Sequence, residues 1–178
     1  MEIETDITRA DLIKLNLFLL PREKSNRVSV AVLAAGIFIY LLISKQPNSL
    51  GSLGIAAGAA IGGGIAGLLA GFIISLLFII ITSSAKSGVL GRHAYRLTED
   101  GLHERTAANE GLQKWQGIQT VGKSKSFIFL RINGYLFHLI PRRSFGTGQE
   151  FESFWVTARD YWQHAQQSAP IDARTSRG

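Results

Sequence analysis

The sequence predicts an α+β membrane protein: a transmembrane helical hairpin joined to an antiparallel β domain that a C-terminal helix caps. Three observations predict it. Two long apolar stretches carry no Asp, Glu, Lys or Arg, one over residues 28–44 and one within residues 46–85. Beyond them the pattern changes to period-two alternation broken by turn dipeptides. The last patterned stretch returns to a helical period with one broad apolar face.

Residues 1–27 form a polar N-terminal segment, with five basic and five acidic residues. Thr8 to Asp11 (TRAD) fits a helix-capping signal, and the apolar run LIKLNLFLL follows it. A short amphipathic helix is expected over residues 9–20, stopped by Pro21. It lies on the membrane surface or on the C-terminal domain. The scarcity of Lys and Arg favours the domain.

Residues 28–44 (VSVAVLAAGIFIYLLIS) are expected to form the first transmembrane helix. At 1.5 Å per residue the stretch reaches roughly 25 Å, a little short of the hydrocarbon core. Flanking Arg27 and Lys45 can snorkel to make up the difference. Residues 45–52 hold Pro47, Asn48 and Gly51, the composition of a short external loop. Residues 53–82 form the second span. A soluble chain of 178 residues lacks the apolar surface to bury two such helices on all sides. Arg22, Lys24 and Arg27 precede the hairpin, Lys86, Arg92 and Arg96 follow it, and the loop carries Lys45 alone. By the positive-inside rule both termini are cytoplasmic and the loop is external.

Within the second span, Gly62 to Gly67 (GGGIAG) matches G-x-G-x-x-G. A dinucleotide fingerprint needs a strand before it and an acid about twenty residues on. Here a small-residue helix precedes it and the nearest acid after it is Glu99. The informative feature is the spacing. Gly54, Gly58, Gly62, Ala66 and Ala70 recur every four residues, as do Gly63, Gly67, Gly71 and Ser75. Such ridges let helix backbones approach closely in lipid. They can dock the first span, join two copies of the chain as a homo-oligomer, or do both. Neither span holds an ionisable residue, which argues against a transporter and leaves a small pore as the lesser alternative.

The cytoplasmic domain is expected over residues 87–167. HAYRLT and LHERT read as strands around an Asp100-Gly101 turn. In LQKWQGIQTV the expected core residues are Trp115, Ile118 and Val121. FIFLRI and YLFHLIP pair around an Asn-Gly turn, with Phe127, Phe129, Leu136 and Phe137 as filling. A helix over residues 148–167 presents Phe151, Phe154, Trp155, Ala158, Tyr161, Trp162 and Ala165 to the sheet. Residues 168–178 are expected to be disordered. Five to seven antiparallel strands closed by a C-terminal helix is the order shared by pleckstrin-homology-like domains.

YRLTEDGLHERT, then W-x-x-I-x-x-V from Trp115, then LIPRRSF before the helix, together resemble the bacterial YcxB-like family. The resemblance implies the same layout: a short N-terminal segment, two membrane spans and a C-terminal domain related to pleckstrin-homology folds. It supplies no catalytic residues.

Chemistry is weakly represented. There is no cysteine, hence no disulfide framework or thiolate site. His93, His103, His138 and His164 lack the spacing of a metal motif. His138 reads as a strand residue, and Ser144 lacks a nucleophile elbow. No enzyme, metal or cofactor is expected. The formal charge of +6 is too small to point to nucleic acid. It suits a domain beside an anionic bilayer. Lys123, Lys125, Arg142 and Arg143 are the candidate anion or partner site, provided the fold brings them to one rim. The expected function is a membrane-anchored, non-catalytic binding or scaffold module that engages a lipid headgroup, peptide or protein.

Overall fold

A computed structural model describes residues 1–20, 22–82, 88–134 and 136–168. Pro21, the Lys86 flank, Tyr135 of the Asn-Gly turn and all but the first residue of the expected disordered tail lie outside the described residues. The chain divides into two compact units. One comprises Met1–Asp11 and the described part of Ser83–Gly178; the other is Leu12–Thr82.

The apolar unit holds most of α1 (Arg9–Leu19), then α2 (Lys24–Lys45) and α3 (Leu50–Thr82). Gln46 ends α2 in the left-handed region at φ 44°, its N–H donating to the Leu42 carbonyl at 3.2 Å. Ser49 and Ser52 cap the start of α3 reciprocally, each backbone N–H donating to the other's hydroxyl at 3.1 and 3.2 Å. The two helices then pack antiparallel along a small-residue seam. Ala56, Ala60 and Gly64 are the buried residues of α3. A Cβ on Gly64 would stand 2.9 Å from the Val30 carbonyl oxygen and 3.2 Å from the Ala34 Cβ, so only glycine permits this approach.

The polar unit begins with a strand that the sequence reading did not anticipate. Residues Glu2–Ile7 form β1, which pairs antiparallel with β2 (Gly91–Leu97). In EIETDI, Ile3, Thr5 and Ile7 alternate with three acids. The register sets Glu2 opposite Arg96 and Asp6 opposite Arg92, a favourable cross-strand charge pattern. The helices of the apolar unit are thus inserted between two paired strands of the polar one.

Next come β3 (Gly101–Thr106) and β4 (Glu110–Lys114), completing a four-stranded sheet in the order β1-β2-β3-β4. A Cβ on Gly101 would collide with the Gln113 carbonyl oxygen on β4, so the close approach of β3 to β4 at this position requires glycine. A 3₁₀ turn, Trp115–Gly117, leads to a three-stranded antiparallel sheet of β5 (Thr120–Lys123), β6 (Phe127–Arg131) and β7 (Phe137–Pro141). The sheets do not close into a barrel. A second 3₁₀ turn, Arg142–Ser144, precedes α4 (Gly148–Gln167). Thr147 caps α4, accepting the Glu150 N–H at 3.1 Å, while the Glu150 carboxylate accepts the Gly146 N–H at 2.9 Å.

The core lies between the sheets and α4. Trp115, Ile118, Leu102, Leu130, Ile140 and Ala158 are wholly buried, and Tyr95, Phe151 and Phe154 nearly so. Trp115 donates through Nε1 to the Thr98 carbonyl at 2.9 Å, and Trp162 to the Ile118 carbonyl at 2.8 Å. The expected core residues Trp115, Ile118 and Val121 are all buried. Leu136 is a correction. Assigned to the core, it is 56 % exposed, because it sits in the β6–β7 turn ahead of the first residue of β7. Ile128 and Leu130, which the sequence reading did not name as core, are fully buried. β6 is the middle strand of its sheet and is covered on both faces, so a period-two reading cannot choose between them.

Candidate functional site

The four basic residues proposed as a rim separate into two roles. The β5–β6 turn is built on Ser124, whose hydroxyl accepts the N–H groups of Ser126 and Phe127 at 3.1 and 3.2 Å. Arg142 then donates its backbone N–H to the Ser126 carbonyl at 2.8 Å. That bond draws the 3₁₀ turn after β7 beside the β5–β6 turn. Arg142 also donates through Nη1 to the Lys125 carbonyl at 3.5 Å. Its guanidinium lies against Gly148, the first residue of α4. Both Lys125 and Arg142 are exposed. Neither has a carboxylate partner among the described residues.

Lys123 and Arg143 are engaged within the domain. Lys123 forms an ion pair with Glu152, and its ammonium lies 3.9 Å from the centroid of the Trp155 ring. Arg143 grips Asp11 with both arms, Nη1 to Oδ1 at 2.5 Å and Nη2 to Oδ2 at 2.6 Å, and Nη2 also donates to the Asp6 carbonyl at 2.6 Å. Asp11 is 4 % exposed. Burial pushes its carboxyl up, but the hydrogen bonds from Arg143 and Thr8 outweigh burial and hold it below the ordinary carboxylate value. The hydrogen bond to Asp11 raises Arg143 in turn. Thr8 donates both its backbone N–H (2.9 Å) and its hydroxyl (2.6 Å) to Asp11. The TRAD signal forms in part, with the Asp11 carboxylate accepting the Thr8 N–H while the Asp11 N–H goes to the Thr8 carbonyl, and it also supplies the anchor for Arg143.

The glycine ridges separate in the same way. Gly63 and Gly67 face α2, where an added Cβ would meet Ile37 at 2.6 Å and Leu33 at 2.9 Å. Gly54, Gly58, Gly62 and Gly71 have nothing within 4 Å of such a Cβ. Gly64, where the added Cβ would strike backbone instead of a movable side chain, was not in either proposed ridge.

Sequence reasoning also missed a polar cluster between the sheets. Glu104 on β3 accepts from His93 Nδ1 on β2 at 2.9 Å and faces His138 Nδ1 on β7 at 3.4 Å. The Tyr95 hydroxyl lies 3.3 Å from His93 Nδ1. Burial pushes Glu104 up, but the His138 and His93 hydrogen bonds outweigh burial and hold it well below the ordinary value. Burial pushes Tyr95 up. His93 and His138 are 5 % and 8 % exposed, and the Nε2 of each is buried without a hydrogen-bond partner. The cross-strand pair Tyr95–Glu104 follows from the β2–β3 hairpin register. His138 arrives from the other sheet, which no local signal predicts. Among the described residues no group of three or more His, Cys, Asp or Glu is placed to hold a metal ion.

These features define a class: an antiparallel α+β domain, closed by a C-terminal helix, that carries an apolar helical hairpin between its first two strands. Residues 97–154, about a third of the chain, match the family described as YcxB-like protein. The match runs from the end of β2 into α4 and contains all four rim residues, Glu104 and His138. It does not reach β1 or the hairpin. No curated protein matches the chain.

Proposed function

We propose that this chain is a membrane-anchored, non-catalytic binding or scaffold protein of the bacterial inner membrane whose polar unit works at the cytoplasmic surface. The observation that carries this reading is the exposure of apolar side chains on the two long helices. On α2, Val28, Val32, Ile39, Tyr40 and Ile43 are exposed and no residue is buried; on α3 only Ala56, Ala60 and Gly64 are buried. An apolar surface of this extent is unstable in water and matched to hydrocarbon.

The strand register supports a two-span topology. Ile7 pairs with Gly91, so the chain that leaves the polar unit after β1 returns to it at β2. An even number of crossings satisfies that constraint. The basic flanks then favour the cytoplasmic side for the polar unit. Four plus three antiparallel strands with a C-terminal helix is also the element order of pleckstrin-homology-like domains, which supports a binding role.

Lys125 and Arg142 supply the chemistry of the site, two exposed cations on adjoining turns, with the Arg142 guanidinium beside the first residue of α4. They suit an anionic lipid headgroup. Tethering raises the local concentration of headgroups, so the intrinsic affinity can be low. The test uses the full chain in neutral detergent, titrated with phosphatidylglycerol or phosphatidylcholine. Preferential retention of the anionic lipid is expected, and Lys125→Glu with Arg142→Glu should remove the preference. Equal retention of both lipids, or a preference that survives the double substitution, contradicts the reading.

A second reading rests on the outward stripe of Gly54, Gly58 and Gly62, which has open space around it. A structural oligomer built through that stripe is compatible with the tether.

A further inference from the structure

We propose that the outer edge of β4 pairs antiparallel with β4 of a second copy of this chain, making one continuous eight-stranded sheet across a two-fold axis. A sheet edge presents unpaired N–H and C=O groups that need cover. In the polar unit three of the four edge strands have a neighbouring element. β1 and β7, the edge strands of different sheets, run beside each other, and α4 lies along β5. The outer edge of β4 has no neighbouring element of that kind among the described residues. Four of its five residues are exposed, including Leu112 at 41 %. It also lacks the usual edge protection: it holds no proline, and its lysine stands at the end of the strand rather than in the middle.

The sequence of β4 says what covers it. EGLQK is self-complementary when read antiparallel about Leu112. In that register Glu110 faces Lys114 of the second copy and Lys114 faces its Glu110. Gly111 faces Gln113, and Leu112 faces Leu112. Glu110 stands opposite Arg105 on β3, but neither Glu110 nor Lys114 forms an ion pair among the described residues, so both can face a second copy. Two opposite-charge pairs and one apolar pair fall on the same face of the joined sheet, the arrangement that stabilises antiparallel neighbours. The interface is isologous, so it closes at two copies instead of propagating. It rests on neither the lipid-binding reading nor the glycine stripe.

The absence of cysteine makes the test direct. Opposed residues in an antiparallel pair have Cα atoms about 4.5–5.5 Å apart, within disulfide range. Leu112→Cys in the full chain, oxidised in native membranes, should cross-link to itself, whereas exposed Leu136→Cys should not. Glu110→Lys sets two like-charge pairs across the axis and should reduce the Leu112→Cys cross-link by roughly five-fold or more. Lys114→Glu should do the same, and the charge swap carrying both substitutions should restore it. Cross-linking no greater than that of Leu136→Cys overturns the proposal. So does a charge swap that fails to restore the cross-link while circular dichroism shows the fold intact.

Discussion

Arg142 and Arg143 are adjacent in sequence and opposite in role. Arg142 projects outward beside Lys125 and the first turn of α4, whereas Arg143 turns inward to a buried carboxylate. Composition alone treats them as one basic pair. The distinction depends on Asp11, 132 residues away, and so was not legible from the local pattern. Arg143→Ala leaves Asp11 with Thr8 as its hydrogen-bond partner, and Arg143 is itself half-exposed. The expected cost is therefore about 1–3 kcal/mol rather than that of a fully buried pair. Combined with Asp11→Asn, the loss should be well below the sum of the single losses in a double-mutant cycle. Acid titration should agree. The folded-state pKa of Asp11 is depressed, so its contribution is present above the unfolded carboxylate range and is lost as pH falls below about 4. Asp11→Asn should shrink that acid limb of the stability curve to the part that Glu104 contributes.

At the scale of elements, most of the architecture could be read from one sequence. The two long apolar helices, the β2–β3 hairpin and the amphipathic α4 lie where periodicity and turn chemistry set them, although α2 starts at Lys24 and α3 at Leu50, each ahead of the expected span. Two elements resisted for identifiable reasons. β1 alternates correctly, but its outward residues are acidic and its partner β2 lies beyond both long helices. β6 is buried on both faces, which removes the alternation that would have identified Ile128 and Leu130 as core. The seam between α2 and α3 was foreseen in kind but displaced in position, because several glycine and alanine sets share four-residue spacing on α3 and only contact with α2 selects among them. Gly64→Val should disrupt the seam, since its Cβ would strike the Val30 backbone. The expected readout is lower thermal stability of the detergent-solubilised protein. Gly58→Leu with Gly62→Leu should leave that stability unchanged. If the outward stripe joins two copies, the same pair of substitutions should reduce amine cross-linking between chains.

At the scale of the molecule, the informative feature is where the hairpin is inserted. The chain forms β1, runs through the apolar unit, and then completes the sheet with β2. The domain therefore includes residues from both sides of the hairpin. A fragment starting at residue 87 lacks its first strand and the Asp11 anchor, so binding experiments belong on the full chain. The same connectivity makes a strict demand on the membrane reading, because both ends of the hairpin must lie on the side of the polar unit.

Single-cysteine accessibility in sealed, right-side-out inner-membrane vesicles tests that demand most directly, since the native chain has no cysteine. Asn48→Cys, in the loop between α2 and α3, should react with a membrane-impermeant maleimide in intact vesicles. Leu136→Cys, on the polar unit, should react only after permeabilisation. Labelling of both sites from the same side, or release of the protein by alkaline carbonate, would contradict the membrane-hairpin account.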